Sequence, residues 1–186
     1  MKFAVVVTLI VCMLSGCSSD TTLADQAMTL RQSLLTSEGC TFGATITADY
    51  GDAIYTFQMD CAADAQGNLN FTVVDPESIS GITGSITTDK AALTFEDKVL
   101  AFPLLTDGQL SPVSAPWIFL NTLKSGYLTG CGKEDTGICM YIDDSYTESP
   151  LHLQIYTDSD FIPIYVDIIY DSHCFLSADI RNFTIL

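Results

Sequence analysis

The stretch that decides the fold runs from Thr41 to Cys61 and reads TFGATITADYGDAIYTFQMDC. Apolar residues fill alternate positions in both halves: Phe42, Ala44, Ile46 and Ala48, then Ala53, Tyr55, Phe57 and Met59. A period of two indicates strands with one buried face. A tight turn at Tyr50-Gly51 would align the two faces, so we predict a hairpin with these pairs: Phe42 with Met59, Ala44 with Phe57, Ile46 with Tyr55.

The strand pattern continues along most of the remaining chain. Further strands are predicted near 69–74, 79–87, 91–95, 99–104, 127–131, 138–143, 151–157, 161–170 and 174–183. The last two form a second hairpin whose predicted pairs are Tyr170 with Cys174, Ile168 with Leu176, Val166 with Ala178, and Ile164 with Ile180. Roughly eleven short strands in meander order predict a large antiparallel sheet, which must curl.

Two helices interrupt this pattern. Leu23, Ala27, Leu30 and Leu34 recur at helical spacing before the first strand. Thr22 and Asp25 resemble a capping box at its start, and Gly39 ends it. The second helix starts at Ser114-Ala115-Pro116, is apolar on nearly every side, and ends at Gly126. The predicted class is mainly β (α+β), a curled sheet or unclosed barrel with an N-terminal helix and a mid-chain lid helix. With no linker and no repeats, residues 23–186 should form one domain.

Composition excludes several functions. The 186 residues carry 7 Lys and Arg against 23 Asp and Glu, for a net charge of −16. Such a chain is repelled by phosphate backbones, so we expect no nucleic-acid partner. Hydrophobic residues make up 48% and charged residues 16%, which excludes a disordered chain.

The N-terminus has the features of a secretion signal. Met1-Lys2 precedes an apolar run, Phe3 to Leu14, that is too short to cross a bilayer. Leu14-Ser15-Gly16-Cys17 follows and resembles the lipobox of bacterial lipoproteins. The resemblance implies cleavage of residues 1–16, acylation of Cys17, and a tether over residues 17–22. We therefore expect a lipid-anchored protein on the extracytoplasmic face of the cell membrane, or in the outer membrane if the host has one.

Five cysteines remain after Cys12 leaves with the signal and Cys17 takes lipid. An odd number outside the cytosol predicts two disulfides and a spare thiol. The first hairpin's register places Cys40 opposite Cys61, which predicts one bridge. Cys131 and Cys139 flank a hairpin-like loop that could also be bridged, whereas a zinc site lacks CxxC pairs and a nearby histidine. Cys174 is expected to be an inert thiol on an apolar face.

No motif predicts catalysis. GxSxG, HExxH and P-loop patterns are absent from the sequence, and the two histidines are His152 and His173. The carboxylate groups that could do acid–base work are Asp143-Asp144 and Asp158-Ser159-Asp160, and we interpret both as solvated turns. The sequence therefore predicts that the protein is not an enzyme and that it has no catalytic residue, no cofactor and no bound metal.

The order of elements, the lipobox and a central segment point to a family. That segment runs from Leu100-Ala101-Phe102-Pro103-Leu104-Leu105 to Ser114-Ala115-Pro116-Trp117. Together these features resemble the LolA/LolB/LppX-type lipoprotein-carrier superfamily, and especially its small Gram-positive lipoproteins. The resemblance implies an unclosed β-barrel covered by helices. The soluble carrier of that superfamily has no lipid anchor, so the lipobox favours a tethered role over a shuttle.

Two functional hypotheses follow. In the first, the half-barrel binds a hydrophobic ligand, a lipid, acyl chain or lipoprotein, in a cleft. The residues expected to line that cleft are Phe57, Phe71, Phe95, Phe102, Trp117, Phe119 and Leu120. In the second, the core is filled and the acidic surface of a tethered interaction module binds an extracellular partner. We expect a monomer in either case.

Overall fold

The computed structural model describes residues 19–88, 91–95, 98–102, 105–106, 109–134 and 137–186. Helix α1 spans Ser19–Thr36 and helix α2 spans Ala115–Ser125. Two short 3₁₀ helices lie at Glu77–Ile79 and Pro112–Ser114. None of the described helices is both long enough and apolar enough to span a membrane.

Thirteen strands lie within the described residues. In chain order they are β1 (Gly39–Asp49), β2 (Ile54–Asp64), β3 (Leu69–Asp75), β4 (Thr83–Ile86), β5 (Ala91–Phe95), β6 (Lys98–Phe102), β7 (Leu105–Thr106), β8 (Gln109–Leu110), β9 (Tyr127–Glu134), β10 (Gly137–Asp143), β11 (His152–Thr157), β12 (Pro163–Tyr170) and β13 (His173–Ile185). Strands β7 and β8 pair only with each other.

The other eleven strands form one antiparallel sheet in the order β6-β5-β4-β3-β2-β1-β13-β12-β11-β10-β9. Two meanders, β1 to β6 and β9 to β13, join where the first strand pairs with the last. Strands β6 and β9 are its edges, so the sheet is not closed. The predicted fold class, a large unclosed antiparallel sheet of about eleven strands with two helices, is confirmed.

The core lies between the inner face of this sheet and the two helices. Helix α2 is buried on most sides, and Phe119 is fully buried. The Phe119 ring contacts Phe42 of β1 edge-on at 5.9 Å between centroids, and Phe183 of β13 at 6.2 Å. Phe42 and Phe183 lie 5.8 Å apart, so three aromatic rings join α2 to the central strand pair.

The predicted register of the first hairpin is wrong by two residues. Phe42 pairs with Cys61, Ala44 with Met59, and Ile46 with Phe57. The turn is longer than predicted, because the Tyr50 amide donates to the Ala53 carbonyl at 3.1 Å and residues 50–53 form the loop. A shift of two residues keeps the same side chains inward, so the alternation is satisfied by either register.

This register also corrects the predicted cysteine pairs. Cys40 lies opposite Ala63, diagonal to Cys61, and both thiols are free and buried. Diagonal residues are separated by about 7–8 Å, whereas the Cα atoms of a disulfide lie about 4.4–6.8 Å apart. Cys131 pairs with Met140 while Cys139 pairs with Gly132, which puts Cys131 and Cys139 on opposite faces of the sheet. They too are free thiols.

The second hairpin keeps two predicted pairs, Ile168 with Leu176 and Val166 with Ala178. A β-bulge between Ile168 and Ile169 pairs Cys174 with Ile169 and Tyr170 with His173 instead. Cys174 therefore leaves the apolar inner face, and its Sγ lies 3.4 Å from a carboxylate oxygen of Asp167. The expectation of a thiol on an apolar face is wrong, because the extra residue reverses the alternation.

A second bulge shapes the end of β13. Thr41 pairs with Thr184 and Gly43 with Arg181, so two residues of β13 face Phe42. Asn182 takes the left-handed conformation there, with a φ of 54°. Before this bulge the even-numbered residues of β13, such as Ile180, face inward, and after it the odd-numbered residues do. Phe183 therefore reaches the aromatic core.

Helix α1 begins at Ser19, three residues before the predicted cap. Residues 19–22, which were predicted to belong to a polar tether, are therefore helical. The predicted buried stripe is present at Leu23, Ala27 and Leu34, and Leu30 is half-buried. Helix α2 ends before Gly126, as predicted. Of the predicted strand 79–87, only Thr83–Ile86 is extended, since Ile79 belongs to a 3₁₀ helix.

Candidate functional site

An open groove lies beside α1, and we call it the α1 groove. Its volume is about 670 Å³, within the usual range of about 300–1,000 Å³ for small-molecule sites. Its walls combine apolar side chains with polar ones. The lining residues are Gln26, Thr29, Leu30, Ser33, Ser159, Asp160, Phe161, Ile162, Phe183, Thr184 and Ile185.

One face of α1 forms a wall of the groove. Gln26, Thr29, Leu30 and Ser33 follow the i, i+3, i+4, i+7 spacing that puts side chains on one side of a helix. The adjacent side of α1 carries the buried Leu23, Ala27 and Leu34. None of these four residues was among the predicted cleft residues, so sequence reasoning missed this wall.

The floor belongs to the aromatic core. Phe183 lines the groove and contacts Phe119 of α2, so the groove lies directly on the packed interior. Phe161 adds a second buried ring from the loop between β11 and β12. Its φ is 61°, a conformation that is an outlier for a bulky residue and that surrounding contacts must stabilise.

Asp158 supplies those contacts. Its Oδ1 accepts hydrogen bonds from the amides of Asp160 at 2.9 Å and Ile162 at 3.0 Å. Its backbone amide donates to the Ile162 carbonyl at 3.0 Å, and its carbonyl accepts from the Phe161 amide at 3.2 Å. Asp158 therefore holds the loop that places Phe161 in the groove. The Asp158-Ser159-Asp160 segment is a turn, as the sequence indicated, and its first carboxylate positions the site.

Replacing Asp158 by alanine is expected to lower the free energy of unfolding by about 1.5–3 kcal/mol, the usual range for hydrogen bonds to a charged group. Urea denaturation measures this directly. Asp160→Ala is the matched control, because Asp160 is exposed in the same loop, and a change below about 0.5 kcal/mol is expected for it. Equal stability of Asp158→Ala and the unmodified protein would contradict the role assigned to Asp158.

Helix α1 is fixed to α2 by one charged side chain. The Arg31 Nε donates to the Leu123 carbonyl at 2.8 Å, in the last turn of α2. That carbonyl has no partner inside its own helix, and a cation there also complements the helix dipole. Partial burial lowers the pKa of Arg31 from its ordinary value. The contact fixes the helix that walls the groove.

A second cavity of about 270 Å³ lies at the C-terminal end of α1. Leu34, Cys40, Leu120 and Lys124 are among its lining residues. The Lys124 Nζ donates to the Ala65 carbonyl at 3.3 Å. Burial raises the pKa of the Cys40 thiol to about 11, so at neutral pH this thiol is protonated and is not a nucleophile.

The predicted cleft residues lie mostly in the core. Phe57, Phe71, Phe119 and Leu120 are buried, and Trp117 packs half-buried against the same cluster. Leu120 lines the second cavity, and none of the five lines the α1 groove. Phe95 and Phe102 lie on β5 and β6, but their side chains fall outside the described part of the chain. Cys17 also lies outside the described residues.

The other residues considered for chemistry lie on several different strands and loops. His152 Nδ1 lies 2.7 Å from Asp143 Oδ1 on the outside of the sheet. Asp144 accepts a hydrogen bond from the Leu151 amide at 2.8 Å, and the Nε2 of His173, the first residue of β13, lies 3.3 Å from the Asp49 carbonyl oxygen at the end of β1. In the described ranges, no three His, Cys, Asp or Glu residues are grouped in a way that could hold a metal ion.

Sequence comparison gives no relative: no protein-family model and no curated protein matches this chain. Solved structures do match. A DUF1329 family protein from Desulfovibrio piger superposes with a TM-score of 0.51 at 13% identity, covering 91% of this chain and 94% of its own. This similarity concerns the fold alone.

Two further matches carry names from the lipoprotein-carrier group. A putative outer membrane lipoprotein-sorting protein domain from Vibrio parahaemolyticus has a TM-score of 0.48 at 9% identity, covering 86% of this chain and 91% of its own. A LolA superfamily protein from Nitrosomonas europaea has a TM-score of 0.44 at 9% identity, covering 86% and 93%. The resemblance predicted from the sequence is confirmed at the level of architecture. This chain has the unclosed antiparallel sheet covered by helices that the resemblance implied.

Proposed function

We propose that this chain is a lipid-anchored extracytoplasmic protein that binds a hydrophobic ligand in the α1 groove. The observation that carries the proposal is the groove itself, a cavity of about 670 Å³ with five apolar side chains. Those side chains are Leu30, Phe161, Ile162, Phe183 and Ile185. Burial of an acyl chain against them contributes about 0.8 kcal/mol per methylene. Binding of this kind needs no covalent step, so the function we propose is that of a binding protein and not of an enzyme.

The N-terminal anchor fits this role. Cys17, the proposed lipidation site, precedes the first residue of α1 by two positions. Gln26, the first groove residue of α1, lies about 10 Å along the helix axis from Ser19. Lipidation at Cys17 would therefore hold the groove-walling helix at the membrane surface, where a lipid ligand is available.

A matched pair of variants tests the site. Ser33→Trp adds a large side chain inside the groove, whereas Gln32→Trp adds the same side chain at an exposed neighbouring position of α1 outside it. With the full chain and the neutral apolar dye Nile red, we expect Ser33→Trp to weaken binding at least tenfold. Gln32→Trp should change binding less than twofold. Equal dye binding by the two variants would place the ligand elsewhere, and no binding by the unmodified protein would overturn the proposal.

The packed core supports a second candidate. Since Phe57, Phe71, Phe119 and Leu120 are buried among other side chains, the described part of the half-barrel interior is packed around them. A filled half-barrel fits a tethered interaction module that binds a basic extracellular partner through its acidic surface. That candidate predicts no Nile red binding, so the same experiment separates the two functions.

A further inference from the structure

The α1 groove offers hydrogen-bond acceptors but few donors. Three of its hydroxyl groups already donate to backbone carbonyls: Thr29 to Asp25 at 2.9 Å, Ser33 to Thr29 at 3.0 Å, and Thr184 to Asn182 at 3.2 Å. A hydroxyl has one proton. What these three side chains can still offer a ligand is therefore the lone pairs of their oxygens.

The loop at the mouth of the groove is also short of donors. The backbone amides of Asp160, Phe161 and Ile162 all donate to Asp158, two to its carboxylate and one to its carbonyl. A loop that binds an anion presents such amides to the ligand. Here they are turned inward and occupied.

The groove lining also carries a negative charge, which adds to the partial negative charge of these acceptor oxygens. Asp160 is the one charged residue among the eleven that line the groove, and none of them is Lys, Arg or His. Gln26 and Ser159 are the lining residues whose side-chain donors have no protein acceptor in the described part of the chain. A carboxylate or phosphate head group needs several donors or a cation, and it would be repelled by Asp160.

We propose that the α1 groove selects amphiphiles by their head group. It accepts an acyl chain whose head donates hydrogen bonds and carries no negative charge, and it rejects carboxylate and phosphate heads. Hydroxyl and ammonium heads both have this chemistry. The inference rests on the proposed function, because it assigns the ligand class of the same groove.

Competition with bound Nile red tests the selection. The full chain at neutral pH and 0.15 M salt is titrated with three probes of equal chain length: monoolein, oleylamine and oleate. Salt at this concentration screens charges beyond about 8 Å, so the assay reports groups near the ligand. We expect monoolein to displace the dye at a concentration at least tenfold below that of oleate. Oleylamine should displace the dye at a concentration similar to that of monoolein, because an ammonium head also donates hydrogen bonds and carries no negative charge; displacement by oleylamine as weak as that by oleate would overturn the inference.

Oleate displacing the dye as well as monoolein does would overturn the inference and leave the proposed function standing. Failure of all three probes, or of the dye itself, would instead overturn the proposed function. The two failures are thus distinguishable in one titration.

Two pairs of variants locate the selection in the groove. Asp160→Asn removes a charge at the groove, and Asp52→Asn removes one in the β1–β2 turn, about 30 Å away along β1. We expect Asp160→Asn to strengthen oleate binding about threefold and Asp52→Asn to leave it unchanged.

The second pair adds a cation. Ser33→Lys, which adds a cationic donor to the groove, should strengthen oleate binding about tenfold, while Gln32→Lys should not. Equal effects within each pair would show that the net charge of the chain sets the preference, against the inference.

Discussion

Replacing Phe119 by alanine is expected to lower the free energy of unfolding by about 3–5 kcal/mol. The side chain is fully buried, and its ring contacts Phe42 and Phe183 at 5.9 and 6.2 Å. Alanine removes both edge-on contacts and leaves a cavity between α2 and the central strands. The surrounding sheet is continuous and cannot collapse into that space, so the full cost of the cavity should be observed.

Urea denaturation followed by circular dichroism measures this cost. Tyr146→Ala is the matched control, because Tyr146 is 82% exposed, and its replacement should cost less than about 1 kcal/mol. Phe119→Ala should also weaken Nile red binding, since Phe183 in the groove floor loses its support. A cost for Phe119→Ala as small as that for Tyr146→Ala would mean that α2 is not packed in the core.

Replacing Gly39 by alanine is expected to cost about 2–4 kcal/mol. Gly39 is the first residue of β1 and has a φ of 152°, a value that other residues rarely adopt. An added Cβ would overlap the carbonyl oxygen of Ala63 on β2, a backbone atom that a rotamer change cannot move. The start of β1 would have to shift, and with it the neighbouring end of β13 that lines the α1 groove.

Gly43→Ala is the control on the same strand. Its added Cβ would lie 3.8 Å from the nearest atoms, which is ordinary van der Waals contact. The expected change is within about 0.5 kcal/mol. Thermal unfolding of the two variants side by side measures the difference, and equal melting temperatures would contradict the close approach of β1 and β2 at Gly39.

The alternation of apolar residues predicts the fold class and the inward faces, because burial of one face depends only on the period of two. It does not predict register. In the first hairpin a slip of two residues keeps Phe42, Ala44 and Ile46 inward, so the length of the turn decides which residues pair. The predicted turn at Tyr50-Gly51 is shorter than the observed Tyr50–Ala53 loop, and the predicted register is therefore wrong. The bulge at Ile169 is likewise not predicted by the alternation. It places Cys174 on the outer face, while the neighbouring pair Ile168–Leu176 is as predicted.

The bulge at Asn182 had a signal in the sequence. Apolar residues occupy even positions from Leu176 to Ile180 and odd positions at Phe183 and Ile185, and this change of phase implies one extra residue between them. Asn is also among the residues that most readily adopt the left-handed conformation.

The candidate site was less predictable than the fold. Large aromatic residues were expected to line the cleft, but in this chain Phe57, Phe71 and Phe119 fill the core instead. The groove is built from hydroxyl-bearing residues of α1 and from Phe161, whose placement depends on the hydrogen bonds of Asp158. A polar helix face looks solvated in a sequence, and no local pattern shows that a loop more than a hundred residues later lies opposite it.

Native mass spectrometry of the full chain, purified as the cell processes it, tests the central claim most directly. The account predicts a co-purified, non-covalent mass in the range of an acyl lipid that organic solvent removes and that the Ser33→Trp variant largely lacks. The Gln32→Trp variant should retain it. A bare protein mass for the unmodified chain, or an adduct that Ser33→Trp and Gln32→Trp hold equally, would contradict ligand binding in the α1 groove.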